Sequence, residues 1–225
     1  DYFDFLNLGP GRLGIALGDV SGKGISASLL MASLQAMLRI HSEEHWNSPE
    51  RLTGDINRHL CQATEASRFA SFFYAVYDAG NRLLTYVNAG HNPPMVLRLN
   101  GGNNRSLGAE ACGKPGAEFS IIRLDATGMV LGVDPSTEYK SSSIRMEDGD
   151  ILVIFTDGVT EAMDKSDNEF GEDNLVSVLS GLIHLPAREI AQEVAAAITR
   201  HQGAAPQADD ITIIVAKSLG GAAAA

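Results

Sequence analysis

Cysteine and tryptophan are scarce in this sequence: two cysteines, Cys61 and Cys112, and one tryptophan, Trp46, in 225 residues. Two cysteines with no metal-type spacing exclude a disulfide framework and a zinc-finger pattern. Positive charge is also in deficit. Lys and Arg number 17 against 28 Asp and Glu, a formal charge of −11. That balance argues against nucleic acid, which needs a basic footprint, and equally against an anionic membrane surface. No stretch has the length and apolarity of a membrane span, and no signal peptide is visible. A reducing, cytoplasmic setting is the expectation. What is present is ordinary for a globular chain: 44% hydrophobic and 20% charged residues, which excludes global disorder. The length suffices to bury a core without staples.

No linker or repeat divides the chain, so one domain is expected over residues 1–219, followed by a low-complexity tail at 220–225. The first strand signal is Leu13, Ile15 and Leu17 in alternation. A helix follows over about 25–40, with Ala27, Leu30, Met31, Leu34, Met37 and Leu38 on one face. Ser48-Pro49-Glu50 opens a second helix as N-cap, first-turn proline and dipole-complementing acid. Residues 69–77 and 83–87 flank a four-residue turn and predict a hairpin. Further strands are expected at 95–99, 119–124, 139–146 and 151–155, the last an unbroken apolar run. Helices at 173–182 and 186–201 precede a final strand at 211–216. Hairpins in the middle disfavour an all-parallel sheet, so an α+β fold of two sheets with helices packed outside is expected.

Acids stand where these strands end. Asp19 lies in Gly18-Asp19-Val20-Ser21-Gly22-Lys23-Gly24, Asp157 in Thr156-Asp157-Gly158, and Asp209-Asp210 before the last strand. Asp1 opens the chain. Carboxylates gathered in a small volume repel one another unless a cation neutralises them. Oxygen-only donors suit Mg²⁺ or Mn²⁺ rather than Zn²⁺. Each Asp beside a Gly taken singly reads as a turn former, so the case rests on the set. No Cys or Gly-x-Ser-x-Gly elbow offers a covalent nucleophile. The segment around Lys23 is not a P-loop, because Leu17 and Gly24 occupy positions that need Gly and Ser or Thr. Lys23 and the helix N-terminus at Gly24 are weak candidates for holding a substrate phosphate. His91 reads as a cap of the turn ending the hairpin, with proton donation as the alternative.

In order along nearly the whole chain come Asp1-Tyr2-Phe3-Asp4-Phe5, the Gly18–Gly24 segment, Asn88-Ala89-Gly90-His91-Asn92-Pro93-Pro94, Gly149-Asp150-Ile151-Leu152, Thr156-Asp157-Gly158-Val159-Thr160-Glu161-Ala162, Glu169-Phe170-Gly171 and Asp209-Asp210-Ile211-Thr212. In this the sequence resembles the bacterial metal-dependent serine/threonine phosphatases of the PPM (PP2C-like) group, of the SpoIIE/RsbU type. The resemblance implies a four-layer αββα sandwich of two mainly antiparallel sheets with a two-metal site between them, holding Mn²⁺ or Mg²⁺. It implies that Asp19 bridges the metals, that the Val20 carbonyl joins one of them, and that Asp157 and Asp209 ligate the other. Asp1 matches the acid of the opening motif. It further implies a phosphoserine or phosphothreonine protein substrate, in this subgroup a STAS-type anti-anti-sigma factor. The family's opening motif carries glycines and further residues before Asp1, so a lead-in and an upstream regulatory domain are expected in the parent protein. The oligomeric state stays open, a homodimer being one outcome. The rival reading is a phosphatase-like scaffold that binds a signalling partner without turnover.

Overall fold

In chain order the elements are β1 (Tyr2–Asn7), β2 (Arg12–Val20), α1 (Ile25–His41), α2 (Pro49–Ala63), β3 (Ala70–Asp78), β4 (Leu83–Ala89), β5 (Met95–Leu99), β6 (Phe119–Arg123), β7 (Ser142–Arg145), β8 (Ile151–Phe155), α3 (Asp157–Thr160), α4 (Gly171–Leu182), α5 (Ala187–Gln202) and β9 (Ile213–Lys217). They come from a computed structural model that describes residues 1–63, 68–99 and 119–219. The expected turn at Asn100–Asn104, Cys112 and the 220–225 tail lie outside the described residues.

The chain divides into two compact units. The first comprises Asp1–Pro93 with Asp125–Met146, the second Pro94–Leu124 with the residues from Glu147 onward. The first unit holds a five-stranded sheet in the order β1-β2-β3-β4-β7, every pairing antiparallel. Its helices bury the stripe that their periodicity lays out. Leu30, Leu34 and Leu38 of α1 join Leu52, Ile56 and Leu60 of α2 and Phe72, Tyr74 and Val76 of β3 in one core. Met31 and Met37 are only partly buried against it. Trp46 is partly buried on the same core, with the Arg12 guanidinium 3.8 Å above its ring, a cation–π contact. Buried Asn57 spends both ends of its amide on the 132–134 segment: Nδ2 donates to the Asp134 carbonyl at 2.8 Å, and Oδ1 accepts from Gly132 N–H at 2.9 Å. Cys61 is half-buried rather than part of the core.

Strand β1 carries no obvious strand pattern in the sequence, and the structure shows why. Tyr2, Asp4 and Leu6 point inward while Phe3 and Phe5 are 56% and 51% exposed. A carboxylate sits on the buried face, and aromatics sit outside. Burial alone would push the Asp4 carboxyl up, but bonds from Arg39 and Tyr2 outweigh it and hold the carboxyl below its usual range. Arg39 Nε and Nη2 donate to Asp4 at 2.7 and 2.9 Å, and Tyr2 Oη donates at 2.9 Å. The pair ties β1 to α1.

The second unit holds a four-stranded antiparallel sheet in the order β6-β5-β8-β9. All five residues of β8 are buried, as its unbroken apolar run predicts. Ile151, Val153 and Phe155 share a core with Leu175 and Leu179 of α4 and Ile190, Val194 and Ile198 of α5. Buried Asp150 is held by Arg98, whose Nη2 donates at 2.6 Å. Two antiparallel sheets with helix pairs make this a mixed α+β fold, as expected.

Candidate metal centre

In the first unit, Asp19 and Val20 are the last two residues of β2. The β1–β2 register ends at Tyr2 opposite Gly18, and Asp1 and Asp19 are the residues next to that pair at the same end of the ladder. Cross-strand neighbours share a face and lie within reach of one another. Two of the expected ligand residues therefore adjoin one cross-strand pair. The chain leaves β2 through Gly22 and Gly24, at φ 89° and 91°, a region that glycine enters freely. The turn is clamped reciprocally: Ser21 N–H donates to the Phe69 carbonyl at 2.9 Å, and Phe69 N–H donates to Ser21 Oγ at 3.0 Å. Lys23 is exposed, and Gly24 is the N-cap of α1 with no side-chain cap bond, as a helix end available to an anion would be.

On the other side of Asp19 the ladder places Ser71. Ser71 Oγ lies 2.8 Å from Nδ1 of buried His91, whose backbone N–H donates to Asn88 Oδ1 at 2.8 Å. His91 therefore braces the turn after β4, as the sequence suggests, and is also bonded to the strand residue that faces Asp19.

In the second unit, Asp157 begins α3 directly after β8, and Asp209 and Asp210 lie in the exposed loop before β9. Thr156 fastens the two segments. Its N–H donates to the Thr212 carbonyl at 3.1 Å, and its Oγ1 accepts from Thr212 N–H at 3.1 Å. Strand β9 begins at Ile213 and not at the expected Ile211, with Thr212 bonded to Thr156 one step beyond the last ladder pair, Phe155 and Ile213. Asp157 Oδ1 accepts from Gly158 N–H at 2.8 Å, and Asp209 Oδ1 from Asp210 N–H at 2.9 Å, so each carboxylate is oriented by its own backbone.

Two acids here gave no site signal in the sequence. The Glu161 carboxyl is pushed above its ordinary value, first by burial and then by the negative charge of Asp157, Glu169 and Asp209. Three carboxylates thus act on Glu161, and two of them, Asp157 and Asp209, were expected ligands. The available signal was position: Glu161 follows Asp157 by four residues, and its N–H donates to the Asp157 carbonyl at 2.8 Å, one helical turn on. Hard oxygen donors whose mutual repulsion a cation would relieve fit Mg²⁺ or Mn²⁺. Among the described residues, the three potential ligands whose donor atoms lie within 4.8 Å of one another are His41, Glu44 and His45.

Comparison with known proteins agrees with these features. The family model described as Stage II sporulation protein E (SpoIIE) matches residues 9–218. The phosphoserine phosphatase RsbU of Bacillus subtilis is 29% identical over 216 residues, covering 96% of this chain and 58% of RsbU. The chain spans between about a third and three-fifths of the lengths of the curated relatives it matches. Among solved structures, the SiaA-PP2C domain of Pseudomonas aeruginosa superposes with TM-score 0.76 at 19% identity, over 96% of this chain and 79% of that one. RsbX in complex with magnesium gives 0.63 at 17% identity, over 95% and 84%. At such identities the structural likeness speaks for a shared fold. The family model matches nearly the whole chain, so the chain belongs to the SpoIIE family, and it shares the fold of solved PP2C phosphatase domains.

Proposed function

We propose that this domain is a metal-dependent protein phosphatase that hydrolyses phosphoserine or phosphothreonine, and that its substrate is a STAS-type anti-anti-sigma regulator in bacterial signalling. The observation that carries the reading is the gathering of Asp157, Glu169 and Asp209 about Glu161, whose carboxyl burial and their negative charge push up. The register that leaves Asp1 and Asp19 next to the Tyr2–Gly18 pair adds to it. The name of RsbU, a phosphoserine phosphatase, supports the substrate class, and the magnesium complex of RsbX supports the kind of ion.

In this reading Asp1, Asp19, the Val20 carbonyl, Asp157 and Asp209 would hold the two Mg²⁺ or Mn²⁺ ions. Bound divalent cations supply positive charge for the phosphoryl oxygens and lower the pKa of a coordinated water. The chain's own contribution is placement. Carboxylates oriented by backbone N–H groups fix the ligand set, and Lys23 with the N-terminus of α1 meets the substrate dianion. The net charge of −11 is then no obstacle to an anionic substrate, because the cations carry the attraction. The reducing cytoplasm suits such a domain.

The test is Mn²⁺-dependent phosphate release from an aryl phosphate and from a phosphoserine peptide. The parent releases phosphate, and Asp19→Asn and Asp157→Asn lose on the order of 10²-fold or more. Hydrolysis by both variants at the parental rate rejects the metal mechanism. A parent that is silent toward phosphorylated STAS protein at saturating metal is the scaffold instead.

A further inference from the structure

We propose a second metal site, at the C-terminal end of α1 and the adjoining side of α2, for a nitrogen-preferring divalent ion of the zinc, nickel, cobalt or copper class. It is independent of the carboxylate centre and of the phosphatase reading. His41 and His45 are four residues apart, and His45 N–H donates to the His41 carbonyl at 3.0 Å, so the helical turn continues past the end of α1 and stacks the rings on one face. Their centroids are 6.2 Å apart and the planes 20° from parallel. Glu44 adds a carboxylate, and donor atoms of all three residues lie within 4.8 Å of one another. Ligands on one zinc lie at most about 4 Å apart, twice the bond length, so small side-chain rotations close the set.

Helix α2 supplies a second i, i+4 pair, Asp55 and His59. Asp55 Oδ2 stands 3.9 Å from His45 Nε2, where it can orient the ring or enter the coordination shell. A pocket of about 310 Å³ is lined by His41, Asp55, Arg58, His59 and Gln62, ample for an ion and its remaining waters at about 30 Å³ each. The carbonyl end of α1 adds partial negative charge. The one cation on this wall, Arg58, is paired with Asp55. Two to three imidazoles with carboxylates select zinc-like ions over magnesium, the reverse of the aspartate set.

The experiment titrates Zn²⁺ into the protein already saturated with Mg²⁺, by calorimetry. One equivalent of Zn²⁺ should bind. His41→Ala and His45→Ala should each weaken it about tenfold or more, since even outer partners of a ligand contribute about that much. Asp157→Asn should leave it intact. Zinc binding that survives both histidine variants overturns the proposal, as does loss of the equivalent in Mg²⁺-saturated protein or in Asp157→Asn. Ring ¹⁵N resonances of His41 and His45 in the unmutated protein give a readout that needs no variant to fold. They should shift on adding Zn²⁺, and unchanged signals overturn the site.

Discussion

The α-carbon of Gly158 faces the carbonyl oxygen of Asp210 so closely that an added Cβ would lie 2.0 Å from it. The obstacle is backbone, which cannot swing aside as a side chain does. Gly158 is thus the position that lets the Asp209-Asp210 loop lie against the start of α3. Gly158→Ala should push that loop away and cost about 1–3 kcal/mol by overpacking. Thermal melting checks the stability, and the Mn²⁺ concentration for half-maximal phosphate release should rise.

Cation binding should stabilise the fold. The carboxylates around Glu161 repel one another without a counter-charge, so adding Mg²⁺ or Mn²⁺ should raise the melting temperature, and EDTA should reverse it. At a hundredfold excess over Kd the gain is about 2.7 kcal/mol. In Asp157→Asn the shift should shrink. A parent whose melting temperature ignores both ions would contradict the site.

The Asp4 carboxyl is held below its usual range in the folded state. Its contribution is therefore fully present above the unfolded carboxylate value, about 3.9, and is lost as pH falls through the lower folded value. Asp4→Asn should flatten the acid limb of the stability curve in that window. At neutral pH, Asp4→Ala should cost about 1–3 kcal/mol, because the buried Tyr2 hydroxyl loses its acceptor. Urea unfolding at several pH values separates the two effects.

Ser71 links His91 to the strand that faces Asp19. Ser71→Ala should cost about 1 kcal/mol, the usual worth of one such bond. If the link also positions Asp19, the variant should need more Mn²⁺ for half-maximal phosphate release without losing maximal rate at saturation. Activity assays over a metal range distinguish that from simple loss of stability.

Much of this was legible in the residues. Strands β5 and β8 match their apolar runs residue for residue, and α1 buries the predicted leucines. What was illegible has local causes. Strand β1 inverts the usual pattern, with Asp4 inside and Phe3 and Phe5 outside, and bonds from Arg39, 35 residues away, and from Tyr2 make that tolerable. Strand β7 spans Ser142–Arg145 and not 139–146, because buried Tyr139 packs against Gly128, where a Cβ would meet its ring at 2.4 Å. The short helix α3 has no periodicity to read at four residues. Asp1, Asp19, Asp157 and Asp209 were visible because strand ends and motif order mark them. Glu161 and Glu169 stand in the same motif segments, but nothing there marked them as site acids; the charge interactions at Glu161 do.

The division of the chain into interleaved units bears on how it is made. Each unit is built from two separate segments: the first unit needs β7, more than fifty residues after β4, and the second needs β9, after both of its long helices. During synthesis neither sheet can close until its returning strand emerges, and the loop with Asp209 emerges after every other element of its unit except β9. Folding that waits on such distant pairings is slow and leaves strand edges open meanwhile. The carboxylate group around Glu161 is therefore completed late, so a nascent chain holds these acids apart while its first sheet is assembling.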